Sequence, residues 1–528
     1  MKAWGWRLGD FKDDFDPTDY LLNGKKVDPL PTVAYLRQEA TKPLSPAKAK
    51  AFREQLAAQR HTWKTIGWLQ EMEDYCVQDV VVTLALWDDL ESYNCPLKAY
   101  DLEHDFAWII KRQEQFGFKF NEVKADKLHG VLEVRKAALN DQLQAIFPPW
   151  DKVIDPHFIP KVNNKSRGYV KGVPTVKTKR ITFNAGSRDH IAERLNAVYG
   201  WKPTVFNQGD GKPTVDEPVL KSLKYEAIPM LLEYLMVDKR LGMLAEGKQA
   251  WKKQVRDGRI YGRVDTMGAV TGRCTHSKPN VAQVPATKSA YGAECRDLFT
   301  VDDGYVLVGA DASGLELRCL AHFLANYDNG AYAEIVLNGD IHTANQEAAG
   351  LPTRDNAKTF IYGWLYGAGD AKIGEIVGRG AQAGKKLKNK FLSSIPAIGS
   401  LSQAVKAKAK RYKKLKGLDG RTLHVRHEHA SLNTLLQSAG ALIMKRALVE
   451  LEALLQAHGL QNSWQSDSPD YEFVVNCHDE WGAQVKPEHA EKFARLSVEA
   501  MTLAGDFFNF RCRIDGEAKI GASWKETH

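Results

Sequence analysis

Two apolar segments that end on acidic residues constrain the fold of this chain more than any other feature. The segment "YVLVGAD" (305–311) has the composition of a buried strand and ends on Asp311. The segment "YEFVVNCHDEWGAQV" (471–485) predicts a strand, a tight turn and a second strand, with Asp479 and Glu480 at the apex. The fold must therefore present both acidic sites at strand ends, although they lie far apart in the sequence.

Each acid also has an ordinary structural explanation. Asp311 can cap a following helix, and Asp479 can belong to a plain hairpin turn. The letters HDE, however, lack the Gly or Asn that a turn with positive φ favours. A carboxylate held at a strand end is a rigid ligand, and the carbonyl of Ala312 adds an oxygen that suits a hard cation such as Mg²⁺. Two strand-presented carboxylates are also what a two-metal phosphoryl-transfer site requires.

The segment "RDNAKTFIYGWLYGAG" (354–369) places two cations and two phenols four residues apart: Arg354, Lys358, Tyr362 and Tyr366. In a helix these side chains lie near one face. Arg and Lys one turn apart can grip successive phosphates, and a tyrosine ring can pack against a base or sugar. The alternative is an amphipathic helix with snorkelling cations, and composition alone does not separate the two.

Composition bounds the class of protein. The chain has 528 residues, 44% hydrophobic and 26% charged, which predicts three or four domains or subdomains of a globular protein. It shows no apolar run long enough for a membrane helix and no signal-peptide pattern at its start. Its seven scattered cysteines indicate a reducing compartment. Basic runs at 161–180 and 406–416 are either solvated surface or contacts for a polyanion.

Hydrophobic periodicity and turn residues predict the local elements. The segment at 258–273 has hairpin character, and 147–182 lacks periodicity and is expected to be a loop or small insertion. Helices are predicted at 47–60, 70–90, 101–146, 187–198, 227–254, 353–366, 384–392 and 429–457.

The segments "GADASGLELR", "RDNAKTFIYGWLYGAG" and "VNCHDE" match motifs A, B and C of family A DNA polymerases. The chain resembles in particular the replicative polymerases of T-seven-like bacteriophages. That resemblance extends through "GAVTGRCTHSKPN", "NGDIHT", "GLDGR", "LNTLLQSAGALI" and "FNFRC". It implies an α+β right-hand fold with an antiparallel-sheet palm, helical fingers and a helical thumb. It also implies template-directed addition of dNTPs to a primer 3′-hydroxyl, in phage genome replication in the cytoplasm of the infected bacterial host.

The resemblance implies the following domain organisation. The bounds are 1–95 for the C-terminal remnant of a 3′–5′ exonuclease domain, 96–255 for the thumb with the start of the palm and a shortened basic insertion at 147–182, 256–325 for the palm with motif A, 326–424 for the fingers with motif B, and 425–528 for the palm with motif C.

For the chemistry, the resemblance assigns Asp311 and Asp479 as ligands of two Mg²⁺ ions, together with the carbonyl of Ala312. One ion would lower the pKa of the primer hydroxyl, and the other would neutralise charge on the leaving pyrophosphate. Glu480 is expected to be secondary.

For the nucleotide, the resemblance assigns the phosphates to His342, Arg354 and Lys358. Glu316 resembles the steric gate that excludes a ribose 2′-hydroxyl. Tyr362 resembles the ring that stacks on the deoxyribose, and its hydroxyl is expected to admit dideoxynucleotides.

For the primer and template, the resemblance implies minor-groove contacts that check base-pair geometry. His429 has the alternative of being only a packed helix residue. The expected primer–template residues are Arg273, His429, Asn433, Gln437, His478, Tyr366 and Gly369.

The chain departs from the family pattern in two places. The segment "DYCVQDVVVT" matches one exonuclease motif through Tyr75 and Asp79, but residues 1–70 contain no convincing upstream acidic motif; "DDFDPTDY" lacks the strand context. A separate polypeptide could supply the missing part. The segment 147–182 is shorter than the thumb loop through which a relative recruits thioredoxin, so that partner is in doubt, whereas its basic character fits direct phosphate contact.

The sequence also leaves other partners and functions open. A replicative helicase–primase is a further partner that the resemblance implies. A single-subunit RNA polymerase shares the palm and the two aspartates, but Glu316 argues against it. A DNA-binding scaffold with a dead site, or one subunit of a split polymerase–exonuclease, are the remaining alternatives; a dead enzyme usually loses a metal ligand, and both aspartates are present.

A lone Asp and Tyr cannot assemble a two-metal nuclease site, so we expect no proofreading by this chain alone. Purified protein incubated with single-stranded DNA and Mg²⁺ should therefore show no 3′→5′ degradation. Degradation that Asp79→Ala removes would contradict this expectation.

Overall fold

The computed structural model describes residues 70–207 and 209–527 of the chain. Contacts divide the chain into two compact units, residues 1–96 and 97–528. In the first unit the described part is one helix, α1 (Gln70–Ser92), as the sequence predicts for 70–90. The predicted helix at 47–60 and the acidic segment "DDFDPTDY" lie outside the described residues.

Helices supply most of the second unit, and several begin where the sequence places a capping side chain. Ser187 accepts the N–H of His190, and Thr353 accepts the N–H of Asn356. Within the described ranges, no helix combines the length and the apolar character needed to cross a membrane. The helices are α2 (Leu97–Phe116), α3 (Glu122–Ile146), α4 (Arg188–Tyr199), α5 (Glu217–Lys221), α6 (Ala227–Leu241), α7 (Trp251–Gln254), α8 (Gly292–Arg296), α9 (Leu315–Asp328), α10 (Ala331–Asn338), α11 (Ile341–Ala349), α12 (Arg354–Leu365), α13 (Asp370–Glu375), α14 (Ala381–Ser394), α15 (Pro396–Tyr412), α16 (Ser431–Ala457) and α17 (Pro487–Phe507).

Strands form two four-stranded sheets and three hairpins, and every pairing is antiparallel. The mixed α+β class with antiparallel sheets is therefore confirmed. The strands are β1 (Phe118–Phe120), β2 (Trp150–Phe158), β3 (Thr175–Ile181), β4 (Val255–Arg256), β5 (Arg259–Ile260), β6 (Arg263–Asp265), β7 (Thr275–Ser277), β8 (Phe299–Thr300), β9 (Val306–Ala312), β10 (Lys414–Lys416), β11 (Thr422–His424), β12 (Tyr471–Cys477), β13 (Glu480–Val485) and β14 (Gly516–Gly521).

One sheet, in the order β12-β13-β9-β14, forms the centre of the second unit. All residues of β12 and β13 are buried, which explains why these strands lack polar alternation. The predicted strand–turn–strand at 471–485 and the buried strand at 305–311 are both confirmed. A core of apolar side chains from α2, α9, α12, α16 and α17 packs around this sheet. A second core surrounds α3, α6 and the β4-β5-β1-β8 sheet.

The prediction of one helical stretch over 101–146 is wrong at its centre. Helix α2 ends at Phe116, and β1 intervenes before α3 begins. Gly117 makes the break, since its φ is 73°, which glycine adopts without strain. A Cβ there would also lie 2.8 Å from the ring of Tyr261, so the close approach of β5 needs glycine as well.

Three other boundaries differ from the expectation. The segment 147–182, expected as a loop, forms the β2–β3 hairpin, whose pairing a search for periodicity could not detect. The helix predicted over 227–254 is interrupted by an i→i+5 turn at Gly242–Glu246. The helix predicted from 429 begins at Ser431, after a short 3₁₀ turn at Glu428–Ala430.

A buried ion network ties α2 to the central sheet. The Nε of Arg112 lies 2.8 Å from both carboxylate oxygens of Glu472 on β12, and its Nη atoms lie 2.8 Å from those of Glu452 on α16. The Arg112 and Glu472 side chains are 4% and 0% exposed. A buried ion pair of this kind is costly to break, because the remaining partner keeps an uncompensated charge.

Replacing Arg112 with methionine should lower the free energy of unfolding by about 3–5 kcal/mol, since two buried carboxylates lose their cation. Urea denaturation followed by circular dichroism measures the change. The matched control is Arg135→Met, which breaks an exposed pair with Glu233 and should shift the unfolding curve far less. Equal losses in the two variants would contradict a special role for the buried network.

Candidate active site

The central sheet brings the two predicted catalytic acids together. Asp311, near the end of β9, pairs directly with Glu480, the first residue of β13. The backbone N–H of the next residue, Ala312, donates to the carbonyl oxygen of Asp479 at 2.9 Å. Asp311 and Asp479 therefore stand beside each other at one end of the sheet, although the eight helices α9–α16 lie between them in the chain.

The turn that carries Asp479 has a strained backbone. Cys477 pairs with Glu480, so the turn consists of His478 and Asp479 alone. His478 has a φ of 60°, a conformation that favours glycine, and its side chain is exposed. The turn thus uses a residue whose side chain disfavours this backbone conformation. Such strain persists where a side chain is needed, typically at functional sites.

The environment of Asp479 is rich in negative charge. Burial, followed by the charge of Glu316, raises the pKa of the Asp479 carboxyl to about 6. In the described part of the chain, no group of three His, Cys, Asp or Glu side chains is arranged to hold a metal. The predicted ligands are two carboxylates and the Ala312 carbonyl. This all-oxygen set fits a hard divalent cation that keeps positions open for phosphate and water.

Two residues that the sequence analysis gave no role support the loop after Asp311. Arg318 is buried, and its guanidinium donates to the carbonyls of Ser313, at 2.7 Å, and Arg513. Gly516 lets β14 approach, since a Cβ there would lie 2.8 Å from the carbonyl oxygen of Asp311 and 2.3 Å from the Sδ of Met501. Their position in "GLELR" and "DGEA" offered no signal, because the contacts of Arg318 with Arg513 and of Gly516 with Asp311 join distant segments.

Glu480 is paired with a buried arginine. It is buried, and its Oε1 lies 3.5 Å from Nη1 of the buried Arg296. The same guanidinium lies 4.3 Å from the centre of the Trp524 ring. This pairing supports the expected secondary role of Glu480, and Arg296 is a further residue that sequence reasoning missed.

Helix α12 presents the predicted cation–phenol face. Its buried residues are Ala357, Phe360, Ile361 and Leu365, whereas Arg354, Lys358 and Tyr366 are exposed and Tyr362 is half-buried. The rings of Tyr362 and Tyr366 are 6.4 Å apart. Burial, then the charge of Glu316, raises the pKa of each phenol to about 12. The Asp479 and Asp311 charges act on Tyr362 in the same direction, so this helix faces the acids across the site.

His342 joins the cations of α12. Burial, then the charges of Arg354 and Lys358, lowers the pKa of the His342 imidazole, and its ring lies 6.5 Å from that of Tyr362. The structure therefore places the three predicted phosphate ligands in one cluster. It also shows that Arg354 donates through Nε to Asp340 at 2.6 Å, a partner the sequence analysis did not name.

Glu316 is held from two sides. Its Oε1 accepts the hydroxyl of Tyr366 and an Nη2 hydrogen of Arg273, both at 3.2 Å. Its side chain is 16% exposed. Tyr366 and Arg273, which are both predicted to contact primer or template, therefore also position the carboxylate that is predicted to select the sugar.

The remaining predicted primer–template residues lie on α16, in the turn before it and in the segment after α12. Between Ser431 and Lys445 only Asn433 and Gln437 escape full burial, so these two mark the open face of α16. His429 is exposed in the turn before α16 and stacks on His427 at 5.4 Å, which excludes a packed helix residue. A Cβ on Gly367 would lie 3.6 Å from the His429 carbonyl oxygen, and the nearby Gly369 is exposed.

The expected exonuclease residues lie in the other unit. Tyr75 and Asp79 both fall within α1, and the carbonyl of Asp79 accepts the Thr83 hydroxyl at 2.6 Å. The Tyr75 side chain lies outside what is described. Their assignment stays a prediction.

Comparison with known proteins agrees with this geometry. The family model described as DNA polymerase family A matches residues 170–526. The DNA-directed DNA polymerase of Enterobacteria phage T3 is 39% identical over 619 aligned residues, covering 100% of this chain and 82% of the relative. The DNA-directed DNA polymerase of Escherichia phage T7 is 38% identical with the same coverage.

A solved structure supports the fold independently. The POL domain of Pol1 from M. smegmatis, in complex with DNA primer-template and dNTP, superposes with a TM-score of 0.65 at 18% identity. The match covers 80% of this chain and 70% of that one.

Proposed function

The chain belongs to DNA polymerase family A and is a DNA-directed DNA polymerase, and we propose that Asp311 and Asp479 carry its nucleotidyl transfer in the replication of a phage genome. The observation that carries the proposal is the backbone pairing that brings positions 311 and 479 side by side at one end of a buried sheet. The expected setting is the cytoplasm of the infected bacterial host.

The acids would act through divalent metal ions, on which enzymes of this family generally depend. Asp311, Asp479 and the Ala312 carbonyl would hold two Mg²⁺ ions. Bound there, Mg²⁺ would stabilise negative charge on the phosphates and lower the pKa of the attacking hydroxyl. Strand β9 and the two-residue turn between β12 and β13 would hold the backbone of both aspartates in place. His478, exposed beside Asp479, would contact the primer terminus.

The cations of α12 and α11 would bind the incoming nucleotide. Arg354 and Lys358 are exposed one turn apart, a spacing that suits neighbouring phosphates. His342 lies with them, where burial and the charges of Arg354 and Lys358 lower the pKa of its imidazole, and it would add a hydrogen-bond donor to the phosphates. Charge compensation and positioning are the main contributions a protein makes to phosphoryl transfer.

Sugar selection would depend on Glu316 and Tyr362. Glu316 is fixed by Tyr366 and Arg273, so its carboxylate cannot easily move aside for a 2′-hydroxyl. Tyr362 is half-buried between the cations and the acids, where its ring can pack on a deoxyribose. Discrimination then comes from contacts that only the correct sugar satisfies.

The primer–template duplex would lie along the open face of α16. Asn433, Gln437, His429 and Arg273 offer donors toward minor-groove acceptors, which occupy similar positions in all correct base pairs. The structural relative was solved with DNA primer-template and dNTP, which supports the same ligands here. The basic run 161–180 covers the loop of the β2–β3 hairpin and most of β3. We propose that this hairpin contacts the phosphates of the DNA.

The domain bounds, a replicative helicase–primase partner and a separate exonuclease polypeptide are part of the proposal. The thumb with the start of the palm would be residues 96–255, and the fingers would be 326–424. The palm would comprise 256–325 and 425–528, which contribute β9 and β12–β14 to one sheet. That shared sheet supports the assignment of both segments to the palm.

Replacing Asp311 with asparagine should reduce single-nucleotide primer extension by about a thousandfold, because several kcal/mol of charge stabilisation depend on the metal ligands. The assay uses a DNA primer–template, dNTPs and Mg²⁺. Asp303→Asn removes an exposed carboxylate from the turn before β9 and serves as the matched control, with activity close to that of the wild type. Full activity of Asp311→Asn in a folded protein would refute the assignment.

Replacing Tyr362 with phenylalanine should reduce dideoxynucleotide incorporation about a hundredfold and leave dNTP extension within about threefold, because only the phenol hydroxyl offers a polar contact where the 3′-hydroxyl is missing. Competition between ddNTP and dNTP at one template position measures the ratio. Tyr412→Phe, at an exposed tyrosine that ends α15, is the control. An unchanged ratio in Tyr362→Phe would show that the hydroxyl does not select the sugar.

A further inference from the structure

Asp340 caps helix α11 in an ordinary way. Its Oδ1 accepts the backbone N–H groups of His342 and Thr343 at 3.0 and 3.3 Å, and its Oδ2 accepts the Thr343 hydroxyl at 3.0 Å. Aspartate is a preferred residue at this position, since it satisfies free N–H groups and faces the positive end of the helix dipole. Three donors from one helix turn therefore fix the orientation of the carboxylate.

The same carboxylate has a fourth donor from another helix. Its Oδ2 accepts the Nε hydrogen of Arg354 at 2.6 Å. Arg354 opens α12, whose N-terminus is already capped by Thr353, so capping does not require this contact. The hydrogen bond from Arg354 is the main reason that the pKa of the Asp340 carboxyl lies well below its usual range. One rigid acceptor thus connects the starts of α11 and α12.

The contact uses only part of the guanidinium. Arginine carries five N–H donors in a planar fork, and Asp340 takes the one on Nε. Among residues 70–207 and 209–527, no hydrogen bond joins either Nη of Arg354 to a protein acceptor, and the side chain is 52% exposed. A planar group fixed at Nε by a rigid carboxylate has a restricted orientation, which keeps the Nη atoms available for a bidentate contact with phosphate.

Asp340 also offsets repulsion within the cation cluster. The charges of Arg354 and Lys358 lower the pKa of His342, whereas that of Asp340 raises it. Without this carboxylate, the mutual repulsion of the two exposed cations Arg354 and Lys358 would be larger. An arginine side chain otherwise has many rotamers, and ordering it on nucleotide binding costs free energy.

We propose that Asp340 is a positioning residue, which holds the Arg354 guanidinium so that its Nη atoms face the phosphates of the incoming nucleotide. The inference rests on the proposed role of Arg354 in phosphate binding. Asp340 itself does not contact the substrate in this arrangement; it acts by reducing the cost of ordering Arg354.

The first test is Asp340→Asn. The asparagine oxygen still caps α11, but its amide presents donors to Arg354 instead of an acceptor. We expect the KM for dNTP in single-nucleotide extension to rise about fivefold, the upper range for an exposed ion pair, with kcat changed less than about twofold. Asp340→Ser keeps a cap that is too short to reach Arg354 and should give the same result if the asparagine variant folds poorly.

A matched control separates positioning from capping. Asp216 caps helix α5 by accepting the N–H of Val219 at 3.0 Å, far from α12 in the sequence. Asp216→Asn should leave both KM and kcat unchanged. A fall in kcat with unchanged KM in Asp340→Asn would overturn the inference.

The second test is a double-mutant cycle with Arg354→Ala. If Asp340 acts through Arg354, Asp340→Asn should raise KM in the wild-type background and have no further effect in Arg354→Ala. An equal rise in both backgrounds would overturn the inference while leaving the phosphate role of Arg354 intact. An unchanged KM in Arg354→Ala alone would instead refute that phosphate role, and with it the premise of the inference.

Discussion

The register between β9 and β13 is the constraint on which the candidate active site depends. Side chains alternate along a strand, so a slip of one residue would exchange Asp311 for a buried neighbour. Both faces of β12 and β13 are buried, so a slip would exchange the closely packed side chains of one face for those of the other. The strained turn at His478 then places Asp479 beside Ala312. Packing of apolar side chains thus determines the separation of two charged ones.

Buried ion networks connect this sheet to the helices around the cleft. Arg112 joins α2 to β12 and α16, and Lys445 of α16 donates to Glu103 of α2 at 2.7 Å. Arg421, before β11, reaches the same Glu103 at 2.6 Å. Networks of this kind contribute little net stability compared with apolar packing. They do require a unique alignment of α2 and α16, which in turn orients the open face of α16.

Charge is divided between the two sides of the cleft. The sheet and α9 supply the acids, and α11 and α12 supply the cations. Each side has internal compensation: Asp340 accompanies Arg354, and Arg273 accompanies Glu316. A triphosphate with its cations could therefore be accommodated between surfaces that are already ordered. Preorganised charge of this kind needs little rearrangement when the substrate arrives.

The sequence by itself determined the local elements and the chemical types at the site. The buried strand ending on Asp311, the turn carrying Asp479 and the four-residue spacing from Arg354 are all properties of short segments, so periodicity was sufficient to find them. Only the tertiary structure decided the break at Gly117, the β2–β3 hairpin and the partners of the site residues. Those features depend on contacts between distant segments, and a linear pattern does not encode which Asp will meet which Arg.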